Sequence, residues 1–226
     1  MMKQIFDRNY PVTSLLLGLT TVVFLLTQLV YFGQATSAQT IFNVGGMLGA
    51  YVKYDPTQLW RLVSPIFVHI GWQHFLLNML SLYFMGRMVE DIFGSKNYLL
   101  LYVLSGVMGN VFTLFLTPNV VAAGASTSLF GLFAAVAFLG YQSKNHYLNQ
   151  IGRSYFTLIV INMVFSLFSP DTSLAGHLGG AVGGLLLSVM LKTQVDPFAF
   201  KKEQRVTASL VFIGLSLGMI GLSLWG

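Results

Sequence analysis

Four polar residues in otherwise apolar stretches of the sequence are of types that can do chemistry: Ser126, His177, His74 and Asn78. A serine hydroxyl becomes a nucleophile when an imidazole takes its proton, and the same imidazole can then protonate a leaving amine. The tetrahedral intermediate needs hydrogen-bond donors, and His74, Asn78 and the backbone N–H of Ser126 are candidates for that task. These residue types raise the hypothesis of peptide hydrolysis by a Ser–His pair.

Each of these residues also has a structural interpretation. A lone serine in a membrane helix usually bonds to its own helix backbone, and His177 taken alone fits a proton relay or a contact between helices. His74 and Asn78 are four residues apart on one helix face and can make hydrogen bonds to other helices. His69 is interpreted as stabilising the loop before that helix, and His146 as a solvated loop residue.

The sequence offers little support for a triad or for a metal. Asp171 is the acid nearest to His177 and lies in turn-like sequence, so we favour a dyad. The chain has no cysteine, which excludes thiol catalysis and Cys-based metal sites. The histidines lack carboxylate partners, so we predict neither a metal nor any other cofactor.

The composition indicates the environment in which these residues must work. Of 226 residues, 55% are apolar and 8% are charged, whereas a soluble domain carries about 25% charged residues. Several apolar runs reach the roughly 20 residues that cross a membrane. The chain is predicted to be an all-α polytopic membrane protein, which excludes a cytosolic enzyme, a disordered protein, a coiled coil and a disulfide scaffold. The net charge of +5 does not indicate nucleic-acid binding, because no basic stripe interleaves with aromatic residues.

Hydropathy predicts seven spans. The first apolar run is longer than the core of a secretion signal, so it is expected to be retained. The spans are predicted at 11–32, 72–88, 97–116, 125–141, 155–168, 174–191 and 206–225. The organisation is then a short cytoplasmic N-terminus (1–10), a six-helix core (11–192) with a folded outer loop (about 33–71), a cytoplasmic linker (193–205) and a seventh helix (206–226).

Lys and Arg residues predict the orientation. With the N-terminus in the cytoplasm, the outer segments hold only Lys53 and Arg61. The cytoplasmic segments hold Lys3, Arg8, Arg87, Lys96, Lys144, Arg153, Lys192, Lys201, Lys202 and Arg205. This orientation places Ser126, His177 and His74 at similar depths near the outer ends of three spans.

Small residues indicate how two of these spans meet. A stripe of glycines on the sixth span permits close approach of a neighbouring helix, and the fourth span offers Gly131 and Ala135 at the same spacing. The stripe consists of Gly176, Gly180 and Gly184, widened by Gly179 and Gly183. If these faces pack together, Ser126 and His177 meet at the outer end of the contact.

With these residues and spacings, residues 57 to 191 resemble the rhomboid family of intramembrane serine proteases. Gly124-Ala125-Ser126 followed by Gly131 resembles the GxS nucleophile motif, and His177 with Gly180 and Gly184 resembles the HxxGxxxG element. Further matches are Phe67, His69, His74 and Asn78 (FxHxxxxHxxxN), Trp60-Arg61 in the first outer loop, and Gly86, Glu90 and Gly94 after the second span.

The resemblance implies a role for each matching residue. Ser126 would be the nucleophile, His177 the general base and acid, and His74 with Asn78 part of the oxyanion hole. Trp60 and Arg61 would anchor the outer loop in the membrane interface, and Glu90 would be structural on the cytoplasmic side. The implied fold is a rhomboid-like bundle of six helices around a water-filled cavity open to the outside, with the seventh helix added C-terminally.

Three positions depart from the common pattern of the family. Thr127 follows the nucleophile where glycine is usual, Gly176 precedes the histidine where alanine is usual, and Phe130 stands where a tyrosine often stacks on the histidine. A phenyl ring can still stack but cannot donate a hydrogen bond. None of the three removes a catalytic atom, so we expect them to affect rate and substrate preference.

The function expected from residues and resemblance is that of an intramembrane serine endopeptidase. It would cut other membrane proteins in or beside their transmembrane helices, in the cell membrane, with its active site open to the outer face. Membrane lipids would be its other partners. The alternative is a catalytically silent rhomboid-like protein that binds and sorts membrane proteins. A transporter is disfavoured because charges in the middle of the spans and inverted repeats are not seen.

Overall fold

Helices make up almost all of the regular structure in the computed structural model, which describes residues 7–168 and 173–225. Each predicted span lies on one long helix, and four short helical segments and two two-residue strands occupy the connections. The long helices are α1 (Pro11–Val30), α4 (Gly71–Phe93), α5 (Ser95–Leu116), α6 (Ser126–Gln142), α7 (His146–Phe168), α8 (Leu174–Met190) and α9 (Lys202–Trp225). Of these, α1, α5, α7 and α9 are long and apolar enough to cross a membrane, and α6 and α8 are shorter apolar helices.

Three predicted boundaries are wrong because polar residues extend the apolar helices. The seventh span was predicted from residue 206, but α9 begins at Lys202. The fifth span was predicted from residue 155, but α7 begins at His146, which is exposed and helical rather than in a loop. The side chain of Asn145 accepts hydrogen bonds from the N–H groups of Tyr147 and Leu148 and so caps this helix. Likewise, α4 continues to Phe93, beyond the predicted end at residue 88.

The predicted outer loop is folded. It contains α2 (Ala38–Asn43), α3 (Gly49–Tyr54) and two 3-10 helices (Pro56–Leu62 and Ser64–Phe67). Its strand β1 (Met47–Leu48) pairs antiparallel with β2 (Val121–Ala122), which lies just before α6. The loop is therefore tied directly to the segment that leads into Ser126.

Arg61 holds this loop together from within. Only 5% of the residue is exposed, and its guanidinium donates to the carbonyl groups of Phe42 at 2.7 Å and Gly46 at 2.8 Å. The same guanidinium lies over the rings of Phe42 and Trp60. Burial lowers the pKa of Arg61 from its ordinary value. Arg61 therefore does not itself lie at the loop surface, as an interface anchor would, whereas Trp60 is exposed.

Helix α8 lies between α5 and α6 and contacts each through a different row of glycines. A Cβ added to Gly180 or Gly184 would overlap the backbone carbonyl oxygens of Thr127 and Gly131 on α6. On the other face, a Cβ on Gly179 would lie 2.6 Å from the side chain of Phe112 on α5. The predicted close approach of the fourth and sixth spans is confirmed, and the additional glycines bring α8 equally close to α5.

Glu90, at the opposite end of α4 from His74, caps α1. Its carboxylate accepts the N–H of Val12 at 3.0 Å and both the N–H and the hydroxyl of Thr13 at 2.9 and 2.8 Å. These N–H groups belong to the first turn of α1, where helix geometry leaves them without partners inside the helix. Ser95 adds a fourth bond to the same carboxylate. A structural role for Glu90 agrees with these contacts.

Helix α9 packs against α8 and α5, and Arg205 near its start donates to the carbonyl groups of Val189 and Met190 at the end of α8. A basic group there satisfies carbonyls that the last turn of a helix leaves without partners. A Cβ added to Gly214, Gly218 or Gly221 would meet nothing within 4 Å, so these glycines face outward.

Candidate active site

Ser126 and His177 are hydrogen-bonded to each other. Oγ of Ser126, the first residue of α6, lies 2.9 Å from Nε2 of His177, which is one turn inside α8. His177 is 6% exposed, and the ring of Phe130 stacks on it with centroids 4.1 Å apart and planes at 15°. The serine hydroxyl and the imidazole therefore stand at the separation that proton transfer requires.

The chain before Ser126 adopts a conformation that only glycine takes easily. Gly124 has φ +137°, and its N–H donates to the carbonyl group of Pro65 at 2.9 Å. The next N–H, that of Ala125, donates to Nε2 of His69 at 3.3 Å. Two bonds to the segment before α4 thus hold the residues that place Ser126 at the start of its helix.

Backbone N–H groups surround Ser126 because it begins a helix. The first hydrogen bond of α6 runs from the N–H of Leu129 to the carbonyl group of Ala125. The N–H groups of Ser126, Thr127 and Ser128 precede it and have no acceptor inside the helix. They are also the positive end of the helix dipole, so this is a favourable place for an oxygen that becomes negatively charged.

The proton of His74 can be assigned from its hydrogen bond. The N–H of Ile70 donates to Nδ1 of His74 at 3.3 Å, so a neutral ring carries its own proton on Nε2. A Cβ built on Gly124 would lie 2.9 Å from this Nε2 and 3.6 Å from Oγ of Ser126. The donor on His74 and the hydroxyl of Ser126 therefore border the same small space beside Gly124.

Asn78 lies one turn further along α4 and is buried. Its side-chain N–H donates to the carbonyl group of His74 at 2.8 Å. One of its two N–H donors is therefore used on its own helix, and the amide has a second to offer to a ligand. The structure places Asn78 directly behind His74 on the face predicted from their spacing.

His69 connects the α4 entry to the serine turn in its neutral form. It is buried, and burial, with the nearby His74 imidazole as a smaller contribution, lowers its pKa to about 3. At neutral pH the ring is therefore neutral, and because Nε2 accepts from the N–H of Ala125, its one proton is on Nδ1. The predicted structural role is consistent with this bond, which acts on the loop that carries the nucleophile.

Ser166 belongs to the site, although nothing in the sequence analysis singled it out. Its Oγ lies 2.9 Å from Nδ1 of His177, on the side of the ring opposite Ser126. It also bonds to the carbonyl group of Asn162 one turn earlier in α7, as many helix serines do. A serine with that local pattern cannot be distinguished from other helix serines until α7 and α8 are seen side by side.

Two departures from the family pattern touch each other. A Cβ on Gly176 would lie 3.0 Å from Cγ2 of Thr127, so the methyl group of the threonine lies against the space where alanine would put its own. A Cβ added to Gly109 on α5 would lie 2.8 Å from Cβ of Thr127, so Gly109 makes similar room on the other side. The extra volume at Thr127 is thus accommodated by the missing volume at Gly176 and Gly109.

Asp171, the acid that we considered for a triad, and the basic residue Lys3 lie outside the described residues. Among residues 7–168 and 173–225, no group of three His, Asp or Glu side chains is close enough together to hold a metal ion.

The fold and this site define a polytopic all-α membrane protein with a Ser–His pair, its histidine buried, at one end of the bundle. The Rhomboid domain matches residues 56–194, more than half of the chain, which therefore belongs to the rhomboid family. Rhomboid protease GluP of Bacillus subtilis is 28% identical over 217 residues, covering 96% of this chain and 41% of GluP. Putative rhomboid protease YdcA of the same organism is 30% identical over 190 residues, 83% of this chain and 92% of YdcA.

The relatives include both proteases and a protein without activity. Rhomboid protease GlpG of Haemophilus influenzae is 28% identical over 194 residues, 82% of this chain and 93% of GlpG. Inactive RHOMBOID-like protein 8 of Arabidopsis thaliana is 27% identical over 216 residues, 84% of this chain and 61% of that protein. Family membership therefore supports an intramembrane protease in general terms, and activity depends on the residues of the site.

Proposed function

We propose that this protein is an intramembrane serine endopeptidase that cuts other membrane proteins in or beside their transmembrane helices. Ser126 is the nucleophile and His177 the general base and acid. The observation that carries the proposal is the 2.9 Å bond between Oγ of Ser126 and Nε2 of His177. The relatives named as proteases support the same reading.

In the acylation step, Nε2 of His177 takes the proton of Ser126 while Oγ attacks the carbonyl carbon of the scissile bond. The negative charge that develops on the carbonyl oxygen is stabilised by the N–H of Ser126 and by the Nε2–H of His74. Asn78 contributes its remaining N–H to the same oxygen. The intermediate collapses as His177 returns the proton to the leaving amine, which breaks the C–N bond and leaves an acyl ester on Ser126.

Deacylation repeats these steps with water in place of the serine. His177 takes a proton from the water, whose oxygen attacks the ester carbonyl carbon, and then protonates Oγ of Ser126 as the acid product leaves. The stacked Phe130 ring keeps the imidazole in the same plane through both halves of the reaction.

The orientation proposed for the molecule follows the distribution of basic residues. The N-terminus is cytoplasmic and the end of the bundle that carries Ser126 faces the outside. We propose that the unit required for activity is the six-helix core (11–192), with the linker (193–205) and the seventh helix (206–226) accessory to it.

The experiment is covalent labelling by a fluorescent fluorophosphonate in mild detergent, followed by cleavage of a reporter transmembrane protein in vesicles. We expect the wild type to be labelled and Ser126→Ala and His177→Ala not to be. Ser154→Ala and His146→Ala serve as controls, because both residues are exposed and lie on α7. A folded wild type that is neither labelled nor active on the reporter refutes the proposal and favours the binding and sorting role. Labelling that persists in Ser126→Ala shows that another residue is the nucleophile.

A further inference from the structure

Ser166, in the outer half of α7, makes a polar contact with the proposed active site. Of the 23 residues of α7, three are buried, and two of these, Leu148 and Gly152, lie near its start. Ser166, the third, is 7% exposed, and apolar neighbours such as Phe165 and Leu167 are exposed. This part of α7 thus turns the hydroxyl of Ser166 toward the bundle, where it contacts Nδ1 of His177.

The hydrogen bonds around His177 are consistent with a single arrangement of protons. For His177 to take the proton of Ser126, its Nε2 must be unprotonated, and a neutral ring then carries its proton on Nδ1. Nδ1–H must donate, so Oγ of Ser166 accepts it at 2.9 Å. The hydroxyl proton of Ser166 is then directed to the carbonyl group of Asn162 at 2.8 Å.

We propose that Ser166 is a positioning residue that holds His177 in the tautomer able to act as a base, in the place where triads use a carboxylate. This inference rests on the proposed function of Ser126 and His177. No proton leaves Nδ1 during the reaction. When Nε2 takes the proton of Ser126, the ring becomes an imidazolium, and the same Nδ1–H to Oγ bond then stabilises a charged donor.

A neutral hydroxyl stabilises the imidazolium less than a carboxylate does, but it does so without placing a charge among apolar helices. The bond also fixes the rotation of the ring, because Ser126 and Ser166 hold its two nitrogens from opposite sides while Phe130 covers one face. Loss of a hydrogen bond to a charged group predicts roughly a 10- to 100-fold lower rate.

The test compares Ser166→Ala with Ser166→Thr in the otherwise intact protein. We expect Ser166→Ala to slow fluorophosphonate labelling and reporter cleavage by about tenfold or more, through kcat rather than KM. Ser166→Thr keeps the hydroxyl and the bond to Asn162 and should restore most of the rate. Ser154→Ala removes a serine of the same helix that also bonds to its own backbone, and should leave the rate unchanged.

The tautomer of His177 separates a positioning role from a structural one. In ¹⁵N spectra of histidine-labelled protein, with the His177 signals assigned by their loss in His177→Ala, wild-type His177 should be protonated at Nδ1. In Ser166→Ala the Nε2-protonated form should increase.

Three results overturn the proposal: wild-type rates in Ser166→Ala, failure of Ser166→Thr to restore the rate, or a wild-type His177 protonated at Nε2 when neutral. The spectra test the proposed tautomer of His177 even if Ser166→Ala folds poorly, because they are recorded on the wild type. A wild type that neither labels nor cleaves refutes the proposed function instead, and the spectra still report the tautomer.

Discussion

Replacing Gly124 by alanine should abolish most activity through one added methyl group. That Cβ would lie 2.6 Å from Cε1 and 2.9 Å from Nε2 of His74, closer than carbon atoms pack, so the imidazole must move. His74 would then be displaced from the space beside Ser126 where we expect the oxyanion. Loss of one such donor lowers kcat by roughly 100- to 1,000-fold.

The same substitution also strains the backbone, and this effect can be separated. Gly124 has φ +137°, which costs a residue with a side chain about 1 to 3 kcal/mol. Gly33 is the matched control, because it has φ +76° and its added Cβ would meet nothing within 4 Å. We expect Gly33→Ala to lower thermal stability modestly and to leave the labelling and cleavage rates unchanged.

The assay is the rate of reporter cleavage in vesicles, with thermal stability measured on the same preparations. In the His74→Ala background the clash is absent, so Gly124→Ala should lower the cleavage rate by a far smaller factor than it does in the wild type. If Gly124→Ala retains activity within about threefold of the wild type while folded, His74 does not act from the position seen here. Equal effects of Gly124→Ala in both backgrounds would refute the steric explanation.

Three other predictions concern stability and are checked by thermal unfolding. Gly176→Ala should be more destabilising in the wild type than in a Thr127→Ala background, because its Cβ would lie 3.0 Å from Cγ2 of Thr127. Equal effects in both backgrounds would show that the two departures from the family pattern are independent. Glu90→Ala should lower the free energy of unfolding by roughly 3 kcal/mol, because the first turn of α1 loses its acceptor. Asp91→Asn, at the exposed neighbouring position, should be nearly neutral. Similar losses of stability in the two variants would rule out the capping role. The pKa of His69 is lowered to about 3, so its neutral form contributes stability above pH 6.5 that is lost as the pH falls toward 3. Between pH 7 and pH 5 the free energy of unfolding should therefore fall by about 2 kcal/mol more in the wild type than in His69→Asn. Equal decreases in the two proteins would show that His69 is not held neutral.

Much of the fold was predictable because its signals are local. Apolar runs identified the seven long helices, and the spacing of glycines on the sixth span predicted its close contact with the fourth. The errors at 146–154, 89–93 and 202–205 arose because hydropathy counts polar residues against a helix that extends past its apolar part. The backbone partners of Arg61 and Glu90 were not predictable, since they lie 15 to 78 residues away in the sequence.

The sequence by itself determined the membrane class, the helices, the types of residue at the site and the spacing that puts His74 and Asn78 on one face. Only the tertiary structure decided that Ser126 and His177 meet at 2.9 Å, and that Ser166 lies behind the imidazole. It also decided that a side chain at Gly124 would meet the ring of His74, in addition to straining the backbone. The reason is physical: helix formation depends on neighbours in the chain, whereas a site depends on side chains from different helices that interact only after the helices pack.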